Sequence, residues 1–381
     1  MLLAVALMGV VSRTPLAAVG VLQGPIRAGT GLDYGAVGLL TTIPVVMFAL
    51  SSLPIGRLRL RYGLSAVMAG GLGLLSVGLF LRSWGGAWGL FAGTVLLGLG
   101  LSTANVLIPA AVKENFPDRA GAVTGLYTTC MYVASAVAAA AAMPLFRWTG
   151  SWQTTLCVWL PVALAALLVW ALLARGRQDR RSGSAAPMGL KGLLRSPTAW
   201  WVTVLMGSQS VIYYSVMAWL PAILGSRGLS PDLAGQFTST FQMGGVLGAV
   251  VSAALLSRLR EQRVYCGLLG GAFFMGVGLL AFGQSGAVLM ACAVLVGFCC
   301  SSSFSAAYCV ITLRAENPEM AVGLSGMSQT FGYVIAALGP VLMGRIFDVT
   351  GSWLPPLSLL ALSAVAYGVA GVKVGTSGGP A

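Results

Sequence analysis

Arg13 lies about halfway along the apolar stretch Val10-Val-Ser-Arg-Thr-Pro-Leu-Ala-Ala-Val-Gly20. A guanidinium presents five N–H donors in a planar fork, a shape that matches a carboxylate or another planar anion. The chain supplies no acid to match it at that depth. All nine acidic residues (Asp33, Glu114, Asp118, Asp179, Asp232, Glu261, Glu316, Glu319 and Asp348) fall in loops or at the ends of apolar segments. An arginine at the centre of a hydrocarbon layer costs about 2.5–3.5 kcal/mol on insertion scales. Two readings follow: backbone carbonyls and hydroxyls brace Arg13 as a structural group, or a bound anion completes it in a water-filled cavity.

Other polar side chains recur at helical spacing. Thr128, Tyr132 and Ser135 stand at i, i+4 and i+7, one face of a helix. Gln209 and Tyr213 are four apart, Gln329 and Tyr333 are four apart, and Ser301, Ser305 and Tyr308 line a further face, with Asn105 alone in its segment. Each could hydrogen-bond a solute, and each could equally join packed helices, where small and polar residues serve as glue.

The elements that must position these groups are set by composition. Of 381 residues, 57% are hydrophobic and only 8% charged, against roughly 25% charged in a soluble domain. Apolar runs of about 20 residues recur along the chain, each long enough to cross a hydrocarbon layer as a helix. They fall near 2–24, 34–56, 63–82, 88–112, 120–143, 153–174, 198–223, 233–256, 264–283, 287–312, 321–343 and 354–372, which makes twelve. The fold expected is an all-α integral membrane protein.

The formal charge of +13 does not point to nucleic acid, because the basic residues cluster in short runs between apolar segments. With the N-terminus inside, sixteen Lys and Arg fall in cytoplasmic loops and five (Arg27, Arg82, Arg147, Arg227 and Arg345) in outer ones, leaving Arg13 inside the membrane. That asymmetry places both termini in the cytoplasm of a bacterial-type inner membrane. The seven cysteines all lie within spans and the chain has no histidine, so neither a zinc site, a disulfide framework nor any cofactor is expected. The partners expected are a small-molecule solute and the lipid bilayer, with the chain acting as a monomer.

The two halves repeat. A shift of 201 residues lays Pro117 on Pro318, Gly125 on Gly326, Thr128 on Gln329, Tyr132 on Tyr333 and Thr149-Gly-Ser-Trp152 on Thr350-Gly-Ser-Trp353. A shift of 197 lays Gly31-Leu32 and Gly38 on Gly228-Leu229 and Gly235. Six spans separate the copies, so both face the same way, as in transporters built from two parallel six-helix halves. The expected division is an N-terminal half over 1–174, a basic cytoplasmic linker over 175–197, a C-terminal half over 198–372 and a cytoplasmic tail over 373–381. Asp33 and Ser230 precede spans two and eight as N-caps, and Asp33 is also the candidate coupling residue.

These features resemble the major facilitator superfamily. The loop Gly56-Arg-Leu-Arg-Leu-Arg-Tyr-Gly63 is similar to the family's G-x-x-x-D-R-x-G loop, with Leu60 where the family has an acid. The ion-pair latch attributed to that acid thereby lacks its carboxylate. Ser12-Arg-Thr-Pro15, Gly38-Leu-Leu-Thr-Thr-Ile-Pro44, Asn105-Val-Leu-Ile-Pro109 and Thr124-Gly-Leu-Tyr-Thr-Thr129 resemble the cyanate and 2-nitroimidazole transporter branch. The resemblance implies a rocker-switch secondary transporter with spans one, four, seven and ten around a central cavity. Its substrate would be a small anion or compact planar nitrogen compound. The substrate-binding set expected is Arg13, Asn105, Thr128, Tyr132, Gln209, Tyr213, Ser301, Gln329 and Tyr333. Two alternatives stand beside it. One is a proton-coupled multidrug exporter, which the lack of a mid-membrane carboxylate weakens. The other is a non-transporting membrane sensor, which usually needs a signalling domain that the short loops do not provide. An enzyme is not expected, since neither a histidine nor an intramembrane acid is present to act as base.

Overall fold

The computed structural model describes residues 1–32, 34–176, 190–229, 231–256, 258–259 and 261–375. Asp33, Ser230, most of the linker and the end of the tail lie outside the described residues. The others form twelve long helices: α1 (Leu2–Val21), α2 (Tyr34–Tyr62), α3 (Leu64–Trp84), α4 (Gly86–Asn115), α5 (Ala120–Thr149), α6 (Leu160–Gly176), α7 (Pro197–Gly225), α8 (Pro231–Leu256), α9 (Arg263–Phe282), α10 (Gly286–Arg314), α11 (Pro318–Thr350) and α12 (Leu354–Val374). Span six is split, because a short helical turn, Trp152–Cys157, precedes α6. Eleven of the twelve are long and apolar enough to cross a membrane. The exception is α7, which carries Ser208, Gln209, Ser210, Tyr213, Tyr214 and Ser215 through its middle. Most of these side chains are buried, so α7 is less apolar because its polar groups face protein.

The repeat is visible in the backbone. Gly150 and Gly351, one shift of 201 apart, both end their helices in the left-handed region, at φ 65° and 63°. Gly31, which caps the short helix Gln23–Thr30, and Gly228, three residues past the end of α7, are also left-handed, at 71° and 80°. Only glycine adopts this conformation without a steric penalty, which is why these turn residues kept their identity in both copies. The packing repeats as well. α1 packs on α5, α2 on α4, and α3 on α4 and α6; in the same pattern α7 packs on α11, α8 on α10, and α9 on α10 and α12.

The halves meet along α5 against α8 and α2 against α11, which are equivalent pairs under the repeat. A side chain at Gly125 would run into Ala253 of α8, and one at Gly326 would approach the Ser52 carbonyl of α2 at 3.3 Å. Small residues let these backbones close together.

Arg82, expected in a loop, sits in the last turn of α3 and is wholly buried.

Candidate functional site

Arg13 is held on the inner face of α1, in a cage of three aromatic rings. Its guanidinium carbon lies 4.4 Å from the ring centre of Tyr213, and 5.5 Å from those of Tyr132 and Phe304. All three are within the range where the negative face of a ring attracts a cation, worth about 0.5–2 kcal/mol. Tyr132 belongs to the first half, on α5; Tyr213 and Phe304 belong to the second, on α7 and α10. The cage therefore exists only where the halves meet.

Rings attract the charge but accept hydrogen bonds poorly, so the fork keeps its donors. The ion pairs formed among the described residues are Arg59 with Glu114 and Glu319, and Arg263 with Glu261. All lie at helix ends. Arg13 has neither a carboxylate nor a hydrogen-bond acceptor among the described residues.

The side of Arg13 left open faces a small internal cavity. It is walled by Ser12, Arg13 and Leu16 of α1, Phe48 of α2, Asn105 of α4, Met131 of α5, Tyr214 of α7 and Tyr333 of α11. Its volume is about 10 Å³, room for a single water. Tyr333 packs on Phe48 at 5.3 Å and on Tyr214 at 6.2 Å, so rings from both halves close the walls. Ser12 donates to the Met8 carbonyl at 2.6 Å and lies 3.2 Å from the Tyr127 hydroxyl, fixing the turn that carries Arg13.

Five of the nine expected site residues gather here: Arg13, Asn105, Tyr132, Tyr213 and Tyr333. Arg13, Asn105 and Tyr333 line the cavity and Tyr132 and Tyr213 cage the guanidinium; the other four belong to neither set. Gln209 spends its amide on its own helix, donating to Ser210 at 2.7 Å and to the Met206 sulfur at 3.5 Å. Thr128 donates to carbonyls one turn back and accepts from Ser305 of α10 at 2.8 Å, joining the halves. Ser301 is fully buried without a partner for its hydroxyl. Gln329 donates to the Asn105 carbonyl and to the Tyr308 hydroxyl, each at 3.0 Å. Helical spacing identifies a shared face; whether that face meets a cavity or a neighbouring helix depends on tertiary packing. The contributions of Phe48, Tyr214 and Phe304 went unread, because an aromatic residue in a span carries the same signal whether it faces lipid or a cation.

The expected loop Gly56–Gly63 is helical up to Tyr62, as the end of α2, and it does form a latch between the halves, with a different residue. Arg59 pairs with Glu319 of α11 at 3.1 Å and with Glu114 of α4 at 3.5 Å. Arg59 and Glu319 are both mostly buried, so solvent screens this contact less than an exposed pair. The position held by Leu60 takes no part.

The arrangement offers donors, rings and a cation, and among the described residues no three His, Cys, Asp or Glu side chains come together to hold a metal ion.

The chain matches the Major Facilitator Superfamily over residues 2–340. It is 36% identical over 365 residues to the uncharacterized transporter YycB of Bacillus subtilis, covering 95% of this chain and 90% of that protein. It is 32% identical over 350 residues to the 2-nitroimidazole transporter of Escherichia coli, covering 92% and 88%. The cyanate transport protein CynX of the same organism is 27% identical over 371 residues, covering 96% and 94%. A solved structure of the transporter FucP in the outward conformation superposes with a TM-score of 0.78 at 14% identity, over 98% of this chain and 99% of that one; at that identity the likeness concerns the fold. Twelve long helices in two repeated halves, a family match over most of the length and relatives that are transporters lead to one conclusion: the chain belongs to the Major Facilitator Superfamily and is a multi-pass membrane transporter, not an enzyme.

Proposed function

We propose that this transporter carries a small anion or a compact planar nitrogen compound, of the cyanate or nitroimidazole kind, and binds it at Arg13. The observation that carries the reading is the state of that guanidinium. It is caged by rings from both halves, has no carboxylate or acceptor among the described residues, and lines the cavity between them. A planar anion fits both requirements, since it accepts from the fork and stacks on the rings. Asn105 supplies a further polar contact, Tyr333 forms part of the wall, and Tyr132 and Tyr213 hold the guanidinium from behind.

Transport proceeds by rocking of residues 1–174 against 198–372 about the α5–α8 and α2–α11 seams. The structure is closed at the end carrying the chain termini, where Arg59 meets Glu319. The distribution of basic residues supports a cytoplasmic location for that end, in a bacterial-type inner membrane, with the linker of 175–197 joining the halves there. The monomer contains the whole cavity.

The test is uptake of labelled cyanate and 2-nitroimidazole into proteoliposomes by the parent, Arg13→Lys and Arg13→Ala. Saturable uptake by the parent, reduced by lysine and abolished by alanine, is expected. Equal uptake by all three proteins overturns the reading.

A further inference from the structure

Inside a helix, the carbonyl of residue 105 would accept the N–H of residue 109. Residue 109 is proline, which has none. The Asn105 carbonyl is therefore left without its intrahelical partner, deep in the protein where an unmatched acceptor is costly. Three donors from the opposite half converge on it: the Tyr308 hydroxyl of α10 at 3.0 Å, the Ser325 hydroxyl of α11 at 3.1 Å and the Gln329 amide of α11 at 3.0 Å. Tyr308 also lies 3.3 Å from the Asn105 side-chain oxygen and accepts from Gln329 at 3.0 Å. Pro109 and Gln329 are buried, and Tyr308 and Ser325 are fully so.

We infer that Pro109 is a positioning residue: by freeing the Asn105 carbonyl it creates the inner contact on which the terminal end of the transporter closes. The contact lies nine residues along α4 from Glu114, about 14 Å at 1.5 Å per residue. Closure thus has two layers, the Arg59 ion pairs at the rim and the Asn105 clasp beneath them. The clasp is reversible for a physical reason. When the halves part at this end, the carbonyl faces an opening that admits water, so the acceptor exchanges protein donors for solvent rather than being stranded. Asn105 also lines the Arg13 cavity, which places one residue at both the binding site and the closure. This part rests on the substrate reading above.

The clasp is tested without substrate. Spin labels at Leu58 and Leu313, 45% and 46% exposed at the terminal ends of the two halves, report the opening there by electron–electron distance measurement in nanodiscs. Cys130 and Cys157, the two cysteines that are not buried, are first replaced by alanine. Pro109→Ala returns an N–H to the carbonyl, and the ratio of open to closed distances is expected to rise about tenfold, the equivalent of one net hydrogen bond. Tyr308→Phe, Ser325→Ala and Gln329→Leu combined remove the donors while leaving the α4 backbone intact and strand the carbonyl in the closed form, and a rise of at least that size is expected. Adding Pro109→Ala to that triple variant supplies the missing N–H from α4 itself, and the ratio is expected to fall back toward that of Pro109→Ala alone. An unchanged ratio in the triple variant, or a further rise when Pro109→Ala is added to it, overturns the inference. Thermal stabilisation of the parent and of Arg13→Ala by cyanate is measured in parallel. Equal stabilisation with a shifted ratio refutes the substrate reading and leaves the clasp standing; a loss in Arg13→Ala with an unshifted ratio refutes the clasp alone.

Discussion

Two arginines lie within the helical bundle near the same stretch of α1, and their surroundings differ. Arg82 reaches from the last turn of α3 and donates to the Pro15 carbonyl at 2.9 Å. Its remaining Nε and Nη2 have no hydrogen-bond partner, it is fully buried, and the helices it joins both belong to the first half. Arg13, two residues before Pro15, is gripped by rings from both halves and keeps its donors toward a cavity. A cation fixed within one half rides with that half and cannot respond to the other. A cation shared between halves feels their separation, and a ligand bound to it does too. Under the proposed function, location relative to the seam, more than burial itself, separates a structural arginine from a substrate anchor.

The strongest way to break this contrast is at Arg13. Removing a buried charged partner from a bound ion costs about 2–5 kcal/mol, so Arg13→Ala should lower solute affinity about 30-fold or more, measured by thermal shift and by uptake. The fold should survive, because Arg13 makes no hydrogen bond among the described residues. Arg13→Lys keeps charge but loses the planar fork, and its affinity should fall between the two. A smaller effect is expected at Tyr213, the ring closest to the guanidinium. Tyr213→Leu removes one cation–ring contact and should weaken binding about fivefold, whereas Tyr213→Phe keeps the ring and should stay near the parent. If Tyr213→Phe loses as much as Tyr213→Leu, the hydroxyl acts on the solute and the cage description is wrong.

Much of this architecture was legible in the sequence, and the losses have physical causes. Hydropathy located the helices, and the paired Gly150 and Gly351 turns could be read because a left-handed cap restricts residue type. Arg13 stood out because an arginine in an apolar run without an acid is costly, and the structure sets it among rings from both halves. Arg82 was missed because it lies two residues from the end of its span, beside exposed Trp84, where a charge ordinarily reaches water. The Arg59 latch was missed because its partner Glu319 is 260 residues away, and no local pattern encodes such a pair. Gln209 and Gln329 looked alike, each four residues from a tyrosine. One turned to its own helix and the other crossed to Asn105, a choice made by the neighbouring helices.

Arg82 then tests the other side of the contrast. Arg82→Met keeps the length of the chain and removes a buried charge that holds a single carbonyl. Apolar replacement of buried charge is often neutral or stabilising, so the melting temperature should stay level or rise, and solute affinity should remain within about twofold. A loss of affinity comparable to that of Arg13→Ala would mean that both arginines serve the solute.

The smallest expected effect is that of pH, and its near-absence is informative. The cavity wall contains serine, arginine, leucine, phenylalanine, asparagine, methionine and tyrosine, with no acid, lysine or histidine. An arginine side chain stays charged and a tyrosine stays protonated through the neutral range. Affinity for a permanently charged planar anion should therefore vary by less than about twofold between pH 6 and 8.5 in a thermal-shift titration. The sign also matters. A proton-coupled exporter needs a group that exchanges its proton as solute binds, so its affinity would slope with pH. A slope in that window would place a titrating carboxylate within reach of the solute, with Asp33 the first residue to replace. A flat profile would leave Arg13 holding the solute by fixed charge alone, with the clasp and the rim latch deciding which side of the membrane it faces.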